Sequence, residues 1–467
     1  MSSPRASHST HDTGPLGPVL FFLSAGVLVF APLLRGGNRP LPLAVLELVG
    51  LAILAFAAWA PRRPILEGLP ATLRWGLALL VLVPLGQLLP VPMAWWAMLP
   101  GHAPFAQVLE IAADAGGWRS ITVNPTATQY SWLVMIPCAA MFAAVRQLDR
   151  TWVRRLSIVF VGAAFLEALI GVVQAGSAPG SAIMFGNPYG GAGATGTYVN
   201  KNHFGALIAM ALPMLIALWA IEMLPVVTRH GEVLREHPRN ADMKFAMRAC
   251  FSMLTVGLLL ALLLSRSRAG IAAGLIAFAL AIVALVWRAA TVQVKVVLSM
   301  VVGLALFIGA YVGLTPVLER FAPDVFSMEY RSRMELAGST LIAALDFLPF
   351  GSGLGTFADA FRRYQGARII GFADHAHNDY AELILELGVA GIAIVALLGV
   401  AYAMRWRTVL RDRSSRRLRF MQAGAGLGML AMLLHGLFDF NFHIPANAIY
   451  FSFLAGVFFF IPSSDRA

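Results

Sequence analysis

Charge is scarce in this chain. Only 13% of its 467 residues are Asp, Glu, Lys or Arg, about half the share found in soluble domains. That shortage excludes a soluble domain of any size. Cysteine is almost missing as well. Cys138 and Cys250 both fall in apolar runs and read as small core residues, so no disulfide or cysteine-metal framework is expected. A cleavable signal peptide is not expected either, because the first apolar run has a weakly basic flank and ends in Leu33-Leu34-Arg35. Residues Met1–Pro15 are polar and rich in Ser, His and Thr, which predicts a disordered tail.

Apolar sequence is abundant: 58% of residues are hydrophobic and mean hydropathy is +0.73. Runs of roughly 20 apolar residues, enough to span a bilayer, recur along almost the whole length. The expected fold is an all-α polytopic membrane protein with about twelve transmembrane helices and a long outer loop carrying short helices. The spans are Leu16–Leu34, Leu41–Ala60, Trp75–Met98, Thr126–Val145, Leu156–Ala175, His203–Leu224, Ala246–Ser265, Ala269–Trp287, Val294–Leu314, Tyr380–Met404, Phe420–Leu437 and Ala446–Ile461. The implied division is a tail (1–15), nine spans (16–314), an outer loop (315–379), three spans (380–461) and a second tail (462–467). No internal repeat is visible.

The net charge of +11 would suit nucleic acid, but its distribution does not. Basic residues sit in short loops between spans, and 23 of the 35 fall on the side that holds both termini. The Arg405–Arg419 loop alone holds seven arginines. That side is therefore expected to be cytoplasmic, and nucleic acid is not an expected partner. The opposite side should face the periplasm or exterior.

On that outer side, four separate segments carry polar groups. They are Thr197–Phe204, Ser265–Gly270, the long loop with Tyr330–Glu335 and His375–Tyr380, and Asp439–Asn447. Ionisable groups cost free energy near a bilayer and usually mark function. One shared cavity is the expected arrangement.

These residues resemble the O-antigen ligase and polymerase superfamily of bacterial surface-polysaccharide assembly. His-Asn, nine residues, Gly, two residues and Gly fit His377-Asn378, Gly388 and Gly391. Ser267-Arg268-Ala269 is similar to the family's Ser-Arg turn before a span. Arg333 followed by Pro349-Phe350-Gly351-Ser352-Gly353-Leu354-Gly355 is similar to its loop arginine and glycine run. Asn200–Phe204 resembles its Asn-x-Asn-His-Phe element. The resemblance covers roughly residue 190 to the end.

It implies a membrane glycosyltransferase in a bacterial inner membrane, active at the periplasmic face. The donor would be a glycan on undecaprenyl diphosphate. The acceptor would be a hydroxyl of another glycan or of a lipid A core, and membrane lipids would surround both. The catalytic residues would be His377, Arg268 and Arg333. No Asp-x-Asp pair for a metal is present, so no cofactor or metal is expected. Arginine suits a leaving diphosphate because its planar fork donates two parallel hydrogen bonds. His377 would be the base that activates the acceptor, giving inversion. If protonated, it would instead be a further diphosphate ligand. Expected substrate contacts are Arg266, Arg331, His375, Asn378, Asp379, Glu382, Asn200, Lys201, Asn202, His203, Asp439 and His443.

Plainer roles stand beside these. Arg266 and Arg268 could be interfacial anchors that snorkel, and Arg266 and Arg331 duplicate the arginines two residues after them. Asn200 and Asn202 could simply cap the sixth span. Glu382 and Glu386, four apart on one helical face, either line the cavity or pair with loop arginines. Met334, Leu341, Ile342 and Leu345 predict an amphipathic helix over the cavity, as a lid or as packing. Glu167, inside a span, is either part of an ion path or a hydrogen-bonded packing residue. Gly191–Gly196 spells G-x-G-x-x-G but lacks the strand and distal acid of a nucleotide site. A protein glycosyltransferase of the same superfamily and a lipid-linked sugar transporter are the alternatives. The latter should gather its charges at the bilayer midplane instead.

Overall fold

The computed structural model describes residues 16–59, 64–112, 114, 116–188, 190–191, 193–223, 241–287, 296, 299–300, 303, 323–366, 371–412 and 415–461. The described part is almost entirely helical. Its helices are α1 (Leu16–Leu33), α2 (Pro40–Trp59), α3 (Ala71–Gln87), α4 (Met93–Trp96), α5 (Ala103–Ile111), α6 (Pro125–Leu133), α7 (Met135–Gln147), α8 (Arg150–Ala175), α9 (Lys201–Met223), α10 (Ala241–Leu264) and α11 (Arg268–Ala281). After these come α12 (Pro323–Phe347), α13 (Phe357–Phe361), α14 (Asp379–Leu387), α15 (Val389–Arg411), α16 (Arg416–His435) and α17 (Pro445–Phe458). Two three-residue strands, Pro90–Pro92 and Trp118–Ser120, pair antiparallel.

Among the described residues, eight helices are long and apolar enough to cross a membrane, and α3 and α17 are shorter apolar helices. The chain is an all-α polytopic membrane protein. Most of the expected ninth span, Val294–Leu314, and the Met1–Pro15 tail lie outside the described residues. The third span is cut short: Pro90 and Pro92 cannot continue a helix, so α3 ends at Gln87 and a strand follows. The tenth is divided. α14 is a separate nine-residue helix, and Gly388, at φ 59° and ψ −136°, turns the chain into α15.

The core is built on α9, which is almost wholly buried. α16 lies along it through Gly424 and Gly428. A Cβ on Gly424 would stand 2.5 Å from Ala217 Cβ, and one on Gly428 would stand 2.7 Å from the Met210 carbonyl. Only bare backbone allows that approach, which is how helices associate where lipid removes the hydrophobic drive.

At one end of the bundle, arginines hold the last helix. Arg146 is fully buried and donates to the carbonyls of Ile65, Glu67 and Phe459. Arg405 donates to Phe458 and Phe460 (both 2.8 Å). Cations there satisfy carbonyls left over at a helix C-terminus.

The amphipathic helix expected around residues 331–347 forms as α12, but its faces are arranged differently. Met334, Leu341, Ile342 and Leu345 are exposed. The small and aromatic residues Ala343, Ala344 and Phe347 form the buried face, against Phe357, Phe361 and Leu385.

Candidate functional site

The four polar segments converge. Their centre is the turn between α16 and α17, and above all Asp439 and Phe440. Asp439 is fully buried. Its carboxylate accepts from His377 Nδ1 (3.1 Å) and from the Phe440 amide (3.0 Å), and Arg333 Nη1 lies 3.4 Å from its other oxygen. Arg333 also donates to the Phe438 carbonyl. Burial alone would raise the Asp439 pKa. The hydrogen bond from His377 and the Arg333 charge outweigh it and hold the carboxyl well below the usual range.

Phe440 packs three imidazoles around one ring. His375 stacks on it at 4.1 Å, His377 meets it edge-on at 4.9 Å, and His203 does so at 4.7 Å. His203 arrives from α9 and the other two from the outer loop. Phe440 escapes a sequence reading because it looks like any aromatic at a span end.

His377 sits at φ 49°, a left-handed conformation that non-glycine residues rarely adopt. Arg266 does the same at φ 53°. Backbone held in such regions clusters at functional sites. Asn378 follows His377 and caps α14, accepting from the Tyr380 and Ala381 amides (3.1 and 3.0 Å) while donating to the Leu437 carbonyl (3.0 Å).

Behind the imidazoles lies an ion cluster. His375 Nδ1 is 2.7 Å from Glu382 Oε1, and Glu382 Oε2 accepts from the Ala376 amide (2.7 Å). His443 bridges Asp379 (Nδ1 to Oδ1, 3.2 Å) and Glu382 (Nε2 to Oε1, 3.2 Å). Asp379 also accepts from the Asn441 and Phe442 amides (3.0 and 3.3 Å). It thereby fastens the Asp439 turn to α14. Burial opposes charge on His443, but the Glu382 charge and the Asp379 hydrogen bond push its pKa up to about 10. Burial pushes Asp379 up to about 6 against its His443 contact. For Glu382, burial is outweighed by His443 and His375, and the pKa falls. Glu386 takes neither expected role. It is buried, accepts from the Phe357 amide (3.1 Å), and is pushed to about 8 by burial and then by Glu382.

One group among the described residues could hold a metal ion: His375, Glu382 and His443 offer three ligand atoms within 4.8 Å of one another. His375 and His443 both reach the same Glu382 oxygen, at 2.7 and 3.2 Å, so hydrogen bonds within the cluster already engage those atoms.

The Ser265–Gly270 turn packs beside α9, where a Cβ on Gly205 would stand 3.2 Å from Ser267 Cβ. Ser267 caps α11, accepting from the Gly270 amide (3.2 Å), and Arg268 is the first residue of that helix. Asn200 accepts from the Asn202 amide (2.9 Å) as a helix-start cap, the plainer of its two expected roles. Lys201 opens α9, and Asn202 is buried. The Arg331 side chain lies outside the described residues. Glu167 takes the packing alternative: its carboxylate accepts from the Thr197 amide and hydroxyl (both 2.8 Å), pinning the Gly-rich loop. That loop seats against the Ser265 turn, with the Ala194 amide donating to the Leu264 carbonyl (2.8 Å).

Such a protein has a polar, charge-compensated site at one end of an apolar bundle, formed from segments far apart in sequence. Residues 253–396 match the family model described as O-antigen ligase, and that match supports a place for the chain in the O-antigen ligase and polymerase superfamily. No curated protein matches it. The matched segment holds Arg266, Arg268, Arg333 and the His377 motif, while Asp439, Phe440 and His443 lie beyond it. The match implies a glycosyltransferase-like class in general, with a lipid-linked glycan and an acceptor as partners in general terms.

Proposed function

We propose that this protein is a metal-independent, inverting glycosyltransferase of a bacterial inner membrane. It moves a glycan from undecaprenyl diphosphate to a hydroxyl of an acceptor glycan at the periplasmic face. One observation carries the reading: His377 Nδ1 is bonded to a buried Asp439 that also engages Arg333. With Nδ1–H donated to Asp439, Nε2 is left as the proton acceptor, the tautomer logic of histidine–carboxylate pairs.

The acceptor hydroxyl gives its proton to His377 Nε2 while its oxygen attacks the anomeric carbon. The carbon–oxygen bond to the diphosphate breaks, and its electron pair leaves on phosphate. Arg268 and Arg333 stabilise that growing charge as fixed guanidinium donors. Asp439 steadies the imidazolium that forms. The His377 side chain is 28% exposed, so the proton can pass on to solvent. Attack opposite the leaving group inverts the anomeric centre.

The acceptor is a lipid A core for a ligase and a growing chain for a polymerase. The transport alternative loses ground because the ionisable groups gather at one end of the helices. The test is transfer by purified protein in nanodiscs with an undecaprenyl-diphosphate-linked glycan, without any gradient. His377→Ala should lower turnover by about 10²–10⁴ and Arg268→Ala by a comparable factor, with the fold intact. Full turnover in His377→Ala ends the base assignment. Deletion in the source bacterium then separates branches: unattached polymer marks a ligase, and single repeats on the core mark a polymerase.

A further inference from the structure

The first turn of α11 receives a side chain that the proposed chemistry has not used. His435, the last residue of α16, is wholly buried. Neither of its ring nitrogens has a hydrogen-bond partner. Its Cε1 atom, which lies between the two nitrogens, is 3.2 Å from where a Cβ on Gly270 would stand. The nitrogen-bearing edge therefore faces the start of α11. That helix runs fourteen residues from Arg268, so its N-terminal amides present a positive end. Nearby polar atoms are also without hydrogen-bond partners: His203 Nε2 and both side-chain atoms of Asn441. His203 and Asn441 are themselves buried, and buried polar groups in folded proteins are normally satisfied. Asp439 and Arg333 lie within electrostatic reach of His435.

We propose that His435 and the first turn of α11 form an inner anion subsite that takes phosphate oxygens of the lipid diphosphate. The inference rests on the donor class proposed above. Several features select a diphosphate over a neutral sugar hydroxyl. The subsite is bounded by Arg268 at the helix start and by Arg333 beside Asp439. Asp439 cannot serve as the partner His435 lacks, because both of its oxygens face His377, the Phe440 amide and Arg333. An approaching diphosphate favours the imidazolium, in which both nitrogens donate. Gly270 matters because a side chain there would occupy the space in front of the ring.

The experiment measures inhibition of transfer by undecaprenyl diphosphate, together with donor and acceptor KM, for the full chain in nanodiscs. In His435→Leu the Ki and the donor KM should rise at least about tenfold, the loss expected when a charged hydrogen bond is removed. Acceptor KM should stay within about twofold. His435→Gln, which keeps a donor, should fall between. Gly270→Ala, whose Cβ would stand 3.2 Å from His435 Cε1 and 2.9 Å from the Ser267 hydroxyl, should raise Ki in the same way and serves if His435→Leu fails to fold. An unmoved Ki in folded His435→Leu and in Gly270→Ala overturns the subsite. Absence of transfer by the unaltered protein overturns the donor reading itself, a separate and distinguishable result.

Discussion

At the scale of single residues, the site has two layers with different duties. His377 and Arg333 face Asp439, whereas Asp379, Glu382 and His443 spend their charges on one another. Asp439→Asn is therefore expected to lower turnover by about 10³ or more, because an amide favours the wrong imidazole tautomer. Assays of kcat with saturating donor check this, and a loss below about threefold removes Asp439 from the mechanism. The inner layer predicts a pH effect on stability. His443 is a base whose pKa rises from 6.5 to about 10 on folding. Its contribution is full below pH 6.5 and is lost as pH rises through about 10. Melting temperature in detergent should fall over that window in the unaltered protein and stay flatter in His443→Gln; parallel curves refute a stabilising role for the His443 bridge to Asp379 and Glu382. Because hydrogen bonds within the cluster already engage its ligand atoms, transfer should persist in chelator, and its abolition there would give His375, Glu382 and His443 to a metal instead. Histidines, arginines and carboxylates were legible in the sequence, since ionisable groups stand out in an apolar chain. Their division into two layers was not, because Asp379 and Asp439 look alike until their partners, 62 residues apart in the case of Asp379 and Asn441, are brought together.

At the scale of elements, most spans were legible, because bilayer length and apolar composition dictate them. The exceptions arise from contacts across the chain. Tyr380 to Met404 reads as one apolar run, yet Gly388 divides it. The divide comes from the glycine-rich Pro349–Gly355 loop. The Pro349 carbonyl accepts from the Val389 amide (3.0 Å), and the Gly353 amide donates to the Glu386 carbonyl (3.0 Å). Loop and helix end thus share hydrogen bonds that a continuous helix would keep for itself. A Cβ on Gly388 would collide with the Pro349 carbonyl oxygen and stand 2.7 Å from the Gly351 nitrogen. Gly388→Ala should therefore destabilise the protein by at least about 2 kcal/mol, combining strain at positive φ with that clash. Gly399→Ala, a site in α15 where a Cβ meets nothing within 4 Å, should be neutral or mildly stabilising. Melting temperatures of the pair in nanodiscs decide it, and equal values would show that the break at Gly388 is not required.

At the scale of the whole molecule, the bundle has two polar ends with opposite physics. One end holds arginines that donate to backbone carbonyls, as Arg146 and Arg405 do at the end of α17. The other sets Arg333, His375, His377 and His443 against carboxylates, and this is the end that carries the candidate site. Charge counting reads the first end as cytoplasmic, but it cannot show that some of those arginines also serve as helix caps. Sidedness is thus the largest inference resting on sequence, and it can be tested by itself. In a chain with Cys138 and Cys250 replaced by Ala, Phe372→Cys places a thiol at an exposed position three residues before His375. Asp412→Cys places one just after α15, at the arginine-rich loop. In intact cells with a permeable outer membrane, a charged maleimide that cannot cross the inner membrane should modify the first and spare the second. Lysis should expose both. The opposite pattern would put the site in the cytosol, among nucleotide sugars. A lipid-linked donor would then no longer be required by location, and the glycosyl donor would have to be sought again from the chemistry of the Arg268, Arg333 and His377 side chains alone.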